Sequence, residues 1–125
     1  MMADRSNCGG PRACQVFQHA VDVLGKRWTG LIVRVLLERP CRFAELAVAV
    51  DGLSDRMLSE RLKELESEGI VQRRVFPDTP IRVEYSLTDK GRDLQRVIGE
   101  IHHWAERWAA SLSAGGSAPA ARAPE

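Results

Sequence analysis

The side chains best suited to contact chemistry in this 125-residue chain are concentrated between Gly52 and Val71. Arg56, Ser59, Glu60 and Lys63 share one side of this segment, with Arg61 at the margin. Leu58, Leu62 and Leu65 recur at i, i+4 and i+7 on the other side. Ser54 is placed to cap a helix, because its hydroxyl can accept an orphan backbone N–H. Asp55 follows in the first turn, where the helix dipole favours an anion. Gly69 stops the helix. The polar front donates and accepts hydrogen bonds but contains no nucleophile paired with a base, so it is equipped for recognition rather than turnover. Taken alone, the same pattern equally describes a solvated amphipathic helix.

The thiols are the other reactive groups. Cys8, Cys14 and Cys41 form an odd set without the density of a secreted disulfide framework. Cys8 and Cys14 are too far apart for a C-x-x-C pair. His102 and His103 are adjacent and diverge on a helix, so no metal site is expected. Cys14 falls at or just before the start of a first helix, where exposed N–H groups favour thiolate, and Arg12 adds to that field. An inert, partly buried cysteine is the alternative. No His or Asp stands at a spacing that makes a convincing base for Cys14. There is no glycine-rich phosphate loop and no carboxylate pair, so an enzyme is not expected. Cys8 is a possible resolving partner, and Cys41 reads as core.

The elements that must position these groups follow from periodicity. Val16, Phe17, Ala20, Val21 and Leu24 give a first helix over about 15–24, stopped by Gly25. A second runs over about 27–38, with Trp28, Leu31, Ile32, Val35 and Leu36 facing inward, and Pro40 ends it. Residues 41–43 read as a short strand, and 44–50 as a third helix. Asp51 and Gly52 make the turn into the helix that begins after Ser54, and two short helices about such a turn form a helix-turn-helix. Residues 71–76 and 81–87 read as a hairpin whose tip is fixed by Pro77 and Pro80. In its second strand Ile81, Val83, Tyr85 and Leu87 alternate with polar residues. Thr88 caps a long helix over about 89–111 whose stripe is Leu94, Val97, Ile98, Ile101, Trp104, Ala105 and Trp108. This stripe carries more apolar area than one small domain can cover, which predicts a second subunit over part of it. The alternative is packing wholly within its own domain.

Length and an ordinary apolar fraction indicate one domain. The expected organisation is a flexible N-terminal arm (1–13), a single folded unit (14–111) and a low-complexity flexible tail (112–125) rich in Ala, Gly, Pro and Ser. No apolar run approaches a membrane span or a signal peptide, so a cytoplasmic protein with no membrane partner is expected. A net charge of +1 does not by itself indicate a nucleic-acid binder, unless the cations are gathered on one surface.

The order of elements is that of a winged helix-turn-helix. The residues carry a narrower resemblance, to the HxlR-type transcriptional regulators near the MarR-like repressors. The motifs are Cys14; Leu24-Gly25-Lys26-Arg27-Trp28; Arg42-Phe43-Ala44-Glu45-Leu46; the run Leu53 to Leu65; Glu68-Gly69-Ile70-Val71; Val83 to Thr88; and Lys90-Gly91. The resemblance spans about residues 14–108. It implies a mainly α fold with a small antiparallel β wing and with N- and C-terminal dimerisation helices. It further implies a homodimer on a palindromic operator in double-stranded DNA, with no cofactor. Many members of this group carry a cysteine at the Cys14 position, which in some senses oxidants or quinone-like electrophiles. That cysteine is commonly followed by proline, whereas Gln15 stands here.

On that frame Arg56 is the expected guanine reader, because the N-terminal half of a recognition helix enters the major groove. Ser54 and Ser59 suit a phosphate or base edge. Glu60 can accept from cytosine N4 or penalise wrong sequences. Arg61 and Lys63 fall on phosphates, although Arg61 can instead pair with Glu64 or Glu68. Arg73, Arg74 and Arg82 on the wing can reach a flanking minor groove, or else form a solvated strand face. Lys26 and Arg27 at the start of the second helix favour a phosphate, and Arg42 precedes the third. Phe17, Ile101, Trp104 and Trp108 are expected at the dimer interface, and a small-molecule effector is possible. A winged helix serving only as a protein-interaction module is the competing function. It would present an apolar front after Ser54, and Arg56, Arg61 and Lys63 speak against it.

Overall fold

In the computed structural model, residues 11–114 are described. Helix α1 spans Pro11–Leu24, α2 Thr29–Glu38, α3 Phe43–Ala49 and α4 Asp55–Ser67. Strands β1 (Val71–Phe76) and β2 (Arg82–Leu87) follow, then a single turn α5 (Asp89–Arg92) and α6 (Leu94–Ala114). The winged helix-turn-helix is therefore present: α3, the turn at Asp51–Gly52, α4, and a two-stranded wing. Gly52 takes φ 85°, a left-handed value that glycine adopts without a Cβ penalty.

Helix α4 ends in a Schellman cap. Gly69 at φ 76° sends its N–H to Glu66 O, and Ile70 N–H reaches back to Leu65 O, each at 2.9 Å. The buried side chains of Leu65 and Ile70 complete the motif. The wing pairs antiparallel from Val71↔Leu87 to Phe76↔Arg82. Cys41 adds an isolated bridge to Tyr85, with bonds of 3.0 and 2.8 Å. The expected strand at 41–43 shrinks to this bridge because Arg42 becomes the cap of α3. Its backbone N–H donates to Glu45 Oε1 at 2.8 Å, and Phe43 is already helical.

The core brings Ile32, Val33 and Leu36 of α2 against Leu46 of α3, Leu58, Leu62 and Leu65 of α4, and Leu87 and Ile98. Two inward assignments need correction. Leu31 is 48% exposed, whereas Val33 is fully buried, so the buried face of α2 is rotated from the one expected. In β2 the alternation fails at Ile81, which precedes the strand and is exposed, while polar Ser86 is buried next to the core.

The long terminal helix is divided at Asp93 and runs on to Ala114. The α5 turn is tied down separately. Thr88 Oγ1 accepts from Gly91 N–H at 3.1 Å and donates to Gly69 O at 2.5 Å, with Ile70 O 3.2 Å away, and Lys90 Nζ donates to Glu68 O at 2.6 Å. Gly91 lies so close to the backbone between α4 and β1 that a Cβ there would sit 2.2 Å from Ile70 O.

Helix α1 begins at Pro11 rather than Gln15, so residues 11–13 of the expected arm are helical, and residues 1–10 lie outside the described set. Residues 112–114 of the expected tail likewise continue α6, and 115–125 lie outside it. Within one chain α6 buries Ile98 and half-buries Leu94, but the rest of its stripe and that of α1 stay exposed: Phe17 is 69% exposed, Ile101 55%, Trp104 66% and Trp108 52%. The alternative of a terminal helix packed wholly on its own domain is thereby excluded. Among the described residues, no helix is long and apolar enough to cross a membrane, and no cluster of His, Cys, Asp or Glu is arranged for a metal.

Candidate nucleic-acid interface

The front of α4 is built by the cap and the core together. Ser54 Oγ accepts from Met57 N–H at 3.1 Å and so fixes the first turn. Burial of Leu58, Leu62 and Leu65 fixes the rotation of the helix. Arg56, Glu60 and Lys63 then face solvent, and Ser59 is half-buried beside them. Arg56 Nε lies 3.7 Å from Glu60 Oε2 across one helical turn, with the arginine side chain 89% exposed. Such an exposed pair is weak, worth about 0.3–0.5 kcal/mol, so it orients the guanidinium without sequestering it.

Arg61 is placed differently from its sequence assignment. Its Nε donates to Arg27 O at 2.9 Å and its Nη1 to Glu64 Oε1 at 3.2 Å, leaving the side chain only 14% exposed. It braces α4 against the turn between α1 and α2 and does not stand on the front. The pairing with Glu64 was the alternative reading for this residue. Lys26 joins the same brace through Glu64 Oε2 at 3.1 Å. Helix α2 begins at Thr29, preceded by Trp28 at φ 79°, so Lys26 and Arg27 lie in the turn before α2 and not in its first turn. The Arg27 guanidinium lies 4.8 Å from the Trp28 ring centre.

On the wing, Arg73 and Arg74 are exposed. Arg82 is folded back across the hairpin. Its guanidinium lies 4.3 Å from the Phe76 ring centre, Nη1 is 3.3 Å from Asp78 Oδ2, and Nε is 3.5 Å from Glu84 Oε2. The last is an ion-pair approach without hydrogen-bond geometry, and that Nε is buried. Arg82 therefore shapes the tip and does not project from it. Arg42 is exposed at the α3 cap. Glu45 beside it has its carboxyl pKa lowered, first by the Arg42 backbone N–H and then by the charges of Arg39 and Arg42.

Residues 23–113 match the model of the family described as HxlR-like helix-turn-helix. The HTH-type transcriptional regulator YvaP of Bacillus subtilis is 57% identical over 95 residues, covering 76% of this chain and 88% of YvaP. The HTH-type transcriptional regulator YodB of the same organism is 46% identical over 99 residues, covering 79% and 88%. The reduced form of YodB superposes with a TM-score of 0.70 at 45% identity over 79% of this chain and 93% of that one. A quinone-bound YodB gives 0.67 at 44% identity over 75% and 99%. The reduced form of the redox regulator HypR gives 0.73 at 34% identity over 78% and 97%.

This chain belongs to the HxlR-like helix-turn-helix family of transcriptional regulators. In this HxlR-like chain Cys14 sits inside the first turn of α1, not before it, and is half-buried. The shift follows from the earlier helix start at Pro11, whose fixed φ suits a first turn. Cys8 lies outside the described residues. Cys41 is buried in the core, where desolvation pushes its thiol pKa up, although the Arg39 charge opposes this.

Sequence reasoning missed two contacts between distant elements. His19 Nε2 lies 3.0 Å from Glu68 Oε1 and ties α1 to the end of α4. Arg34 Nη1 lies 3.3 Å from His102 Nδ1 and ties α2 to α6. No local pattern announces either contact, because each depends on how two helices cross.

Proposed function

We propose that this transcriptional regulator is a cytoplasmic homodimer that binds a palindromic operator in double-stranded DNA, with Cys14 as a thiol control point. One observation carries the reading. The α4 face opposite the buried leucines presents Arg56, Ser59, Glu60 and Lys63 to solvent on a helix rigidly set by its cap and core. Arg56, with Ser59 and Glu60, reads base edges in the major groove. Lys63, Arg42, Arg73 and Arg74 neutralise phosphates. The uncovered stripes of α1 and α6, including Phe17, Ile101, Trp104 and Trp108, meet their copies in a partner. Pairing places two recognition helices about 34 Å apart, one turn of DNA.

The thiol layer is supported by the family. YodB has been solved with quinone bound, and HypR is a redox regulator. Cys14, half-buried in the first turn of α1, lies next to the same apolar stripe, so a modified thiol there perturbs the dimer.

Fluorescence anisotropy of DNA from upstream of the chain's own gene tests the reading. Affinity should fall steeply with salt, and should change after a mild thiol oxidant in the wild type but not in Cys14→Ser. Absence of salt-dependent binding at any protein concentration refutes the DNA reading. An oxidant effect that persists in Cys14→Ser refutes the thiol reading alone.

A further inference from the structure

The turn from Lys26 to Thr29 joins α1 to α2 and has type II geometry. Thr29 N–H donates to Lys26 O at 3.1 Å. Trp28, the third of the four residues, has φ 79° and ψ −21°, near the values of about +80° and 0° that type II turns take there. Such turns call for glycine or asparagine at that position, because a Cβ is crowded in the left-handed region. Trp28 is the only non-glycine with positive φ among the described residues, and for a bulky side chain that is a strained backbone.

Strain of this kind persists only where the surroundings hold it. The indole is packed against the core, and a Cβ built on Gly52, in the turn between α3 and α4, would lie 3.5 Å from Trp28 Cη2. The decisive hold is on the backbone. Types I and II differ in the direction of the central peptide, which here joins Arg27 to Trp28. Its oxygen, Arg27 O, accepts from Arg61 Nε of the recognition helix at 2.9 Å. Glu64 fixes that contact from the same helix, taking Arg61 Nη1 at 3.2 Å and Lys26 Nζ at 3.1 Å.

Turning the central peptide over gives a type I turn, in which Trp28 takes a negative φ open to most residues. The Arg27 oxygen then points away, and Arg61 loses its acceptor. Two preferences therefore oppose each other at one peptide. The side chain of Trp28 favours type I, and α4 favours type II.

We propose that Trp28 is a positioning residue for the recognition helix and that the Arg27–Trp28 peptide is a two-position switch. In the position seen here, Arg61 ties α4 to the turn that ends α1. In the other, the strain at Trp28 is relieved and that tie is released. DNA that engages the braced helix favours the first position. That consequence rests on the proposed function, whereas the two positions of the peptide do not.

The test is NMR of the full chain without DNA, followed by anisotropy with DNA. The nuclear Overhauser effect between Arg27 Hα and Trp28 N–H is strong in a type II turn and weak in type I. It should be strong in the wild type and weak in Arg61→Ala. Adding Trp28→Gly to Arg61→Ala should restore the corresponding signal, because glycine needs no brace to hold type II. Trp28→Gly and Trp28→Ala both remove the ring and differ only in the Cβ. Arg61 Nε–H should keep its hydrogen-bonded resonance in the first and lose it in the second. On DNA, Trp28→Ala should bind about tenfold more weakly than Trp28→Gly, the factor expected from the penalty on a Cβ in the left-handed region. That difference should vanish when Arg61 is also replaced by Ala, an outcome that a merely structural tryptophan does not produce. An Overhauser effect undiminished in Arg61→Ala overturns the proposal. So does an Arg61 resonance that is the same in both Trp28 variants, or a tenfold difference that survives loss of Arg61. Should the Trp28 variants fail to fold, the Arg61→Ala spectrum decides alone. A chain that bound no DNA would fail the anisotropy series and still answer in the spectra.

Discussion

Arg61→Ala separates a brace from a phosphate contact. Arg61 donates to Arg27 O at 2.9 Å and to Glu64 at 3.2 Å, with its side chain 14% exposed. A hydrogen bond from a charged donor contributes roughly 1.5–3 kcal/mol. Water can reach the vacated Arg27 carbonyl in this exposed contact, so the lower end applies. The pair with Glu64, whose side chain is 40% exposed, adds at most about 1 kcal/mol, and Lys26 retains Glu64 after the substitution. The expected loss is therefore about 2 kcal/mol. In urea, with an m-value of about 1–2 kcal/mol/M, the midpoint should fall by about 1–2 M. Both proteins must be compared at one concentration, because the stability of the proposed dimer depends on it. Lys63→Ala should leave the midpoint in place but reduce the slope of log affinity against log salt by about 1, the signature of one lost phosphate contact. Arg61→Ala should leave that slope as it was. An Arg61→Ala midpoint within about 0.3 M of wild type, or a salt slope reduced as for Lys63→Ala, would refute the brace.

Gly91→Ala should be among the most damaging single-methyl additions in the chain. The new Cβ would meet backbone at 2.2 Å, and overpacking of this kind costs about 1–3 kcal/mol or more, to be read by thermal unfolding. Glu45 contributes stability through its depressed pKa, and the sign is that of an acid. The contribution is present above the ordinary value of 4.5 and is lost as pH falls through the lower folded value. Glu45→Gln should therefore lower stability at neutral pH, match the wild type at low pH, and so flatten the acid limb of the stability profile. Burial holds Cys41 as a neutral thiol, so a thiol reagent near pH 8 should label Cys14 in the native protein and reach Cys41 only on unfolding, as peptide mass mapping would show.

Where a feature depends on local chemistry, the sequence announces it. Ser54, the leucine triplet and Gly69 bound α4 correctly, because cap, stripe and stop all lie within one helix length. The same holds for β1, bounded by Gly69 and Pro77. Features set by long-range packing were not legible. Val33 rather than Leu31 faces the core because α2 is rotated by contacts with four other elements, α1, α3, β2 and α6. The terminal helix breaks at Asp93 because its first turn is tied to residues 68–70 after α4, while the remainder follows α2. Among the candidate DNA contacts the dividing line is similar. Arg56 and Lys63 are placed by helical phase alone. Arg61 and Arg82 are claimed by Arg27 O and Glu64, and by Asp78, Phe76 and Glu84, partners that only the folded chain supplies.

That division bears on how a chain of net charge +1 could hold a polyanion. The acidic residues are not spread evenly among the cations. Glu64 takes Lys26 and Arg61, Asp78 and Glu84 take Arg82, and Glu45 takes Arg39. These pairs build the turn before α2, the wing tip and the α3 cap, which are the parts that hold the recognition helix and hairpin in place. Arg42, Lys63, Arg73 and Arg74 remain exposed with no ion pair among the described contacts, and Arg56 has only the weak Glu60 pair. The acids thus neutralise the cations that position the surface and leave those that form it. Removing an acid from a brace, as in Glu64→Gln, should therefore weaken the fold before it strengthens any attraction to DNA. Removing Glu60 should do the reverse: stability unchanged, and affinity for non-cognate DNA raised through an unrestrained Arg56. If both substitutions simply raised affinity in step with net charge, the surface would be acting as a diffuse cationic patch and the structural division of its arginines would have no functional meaning.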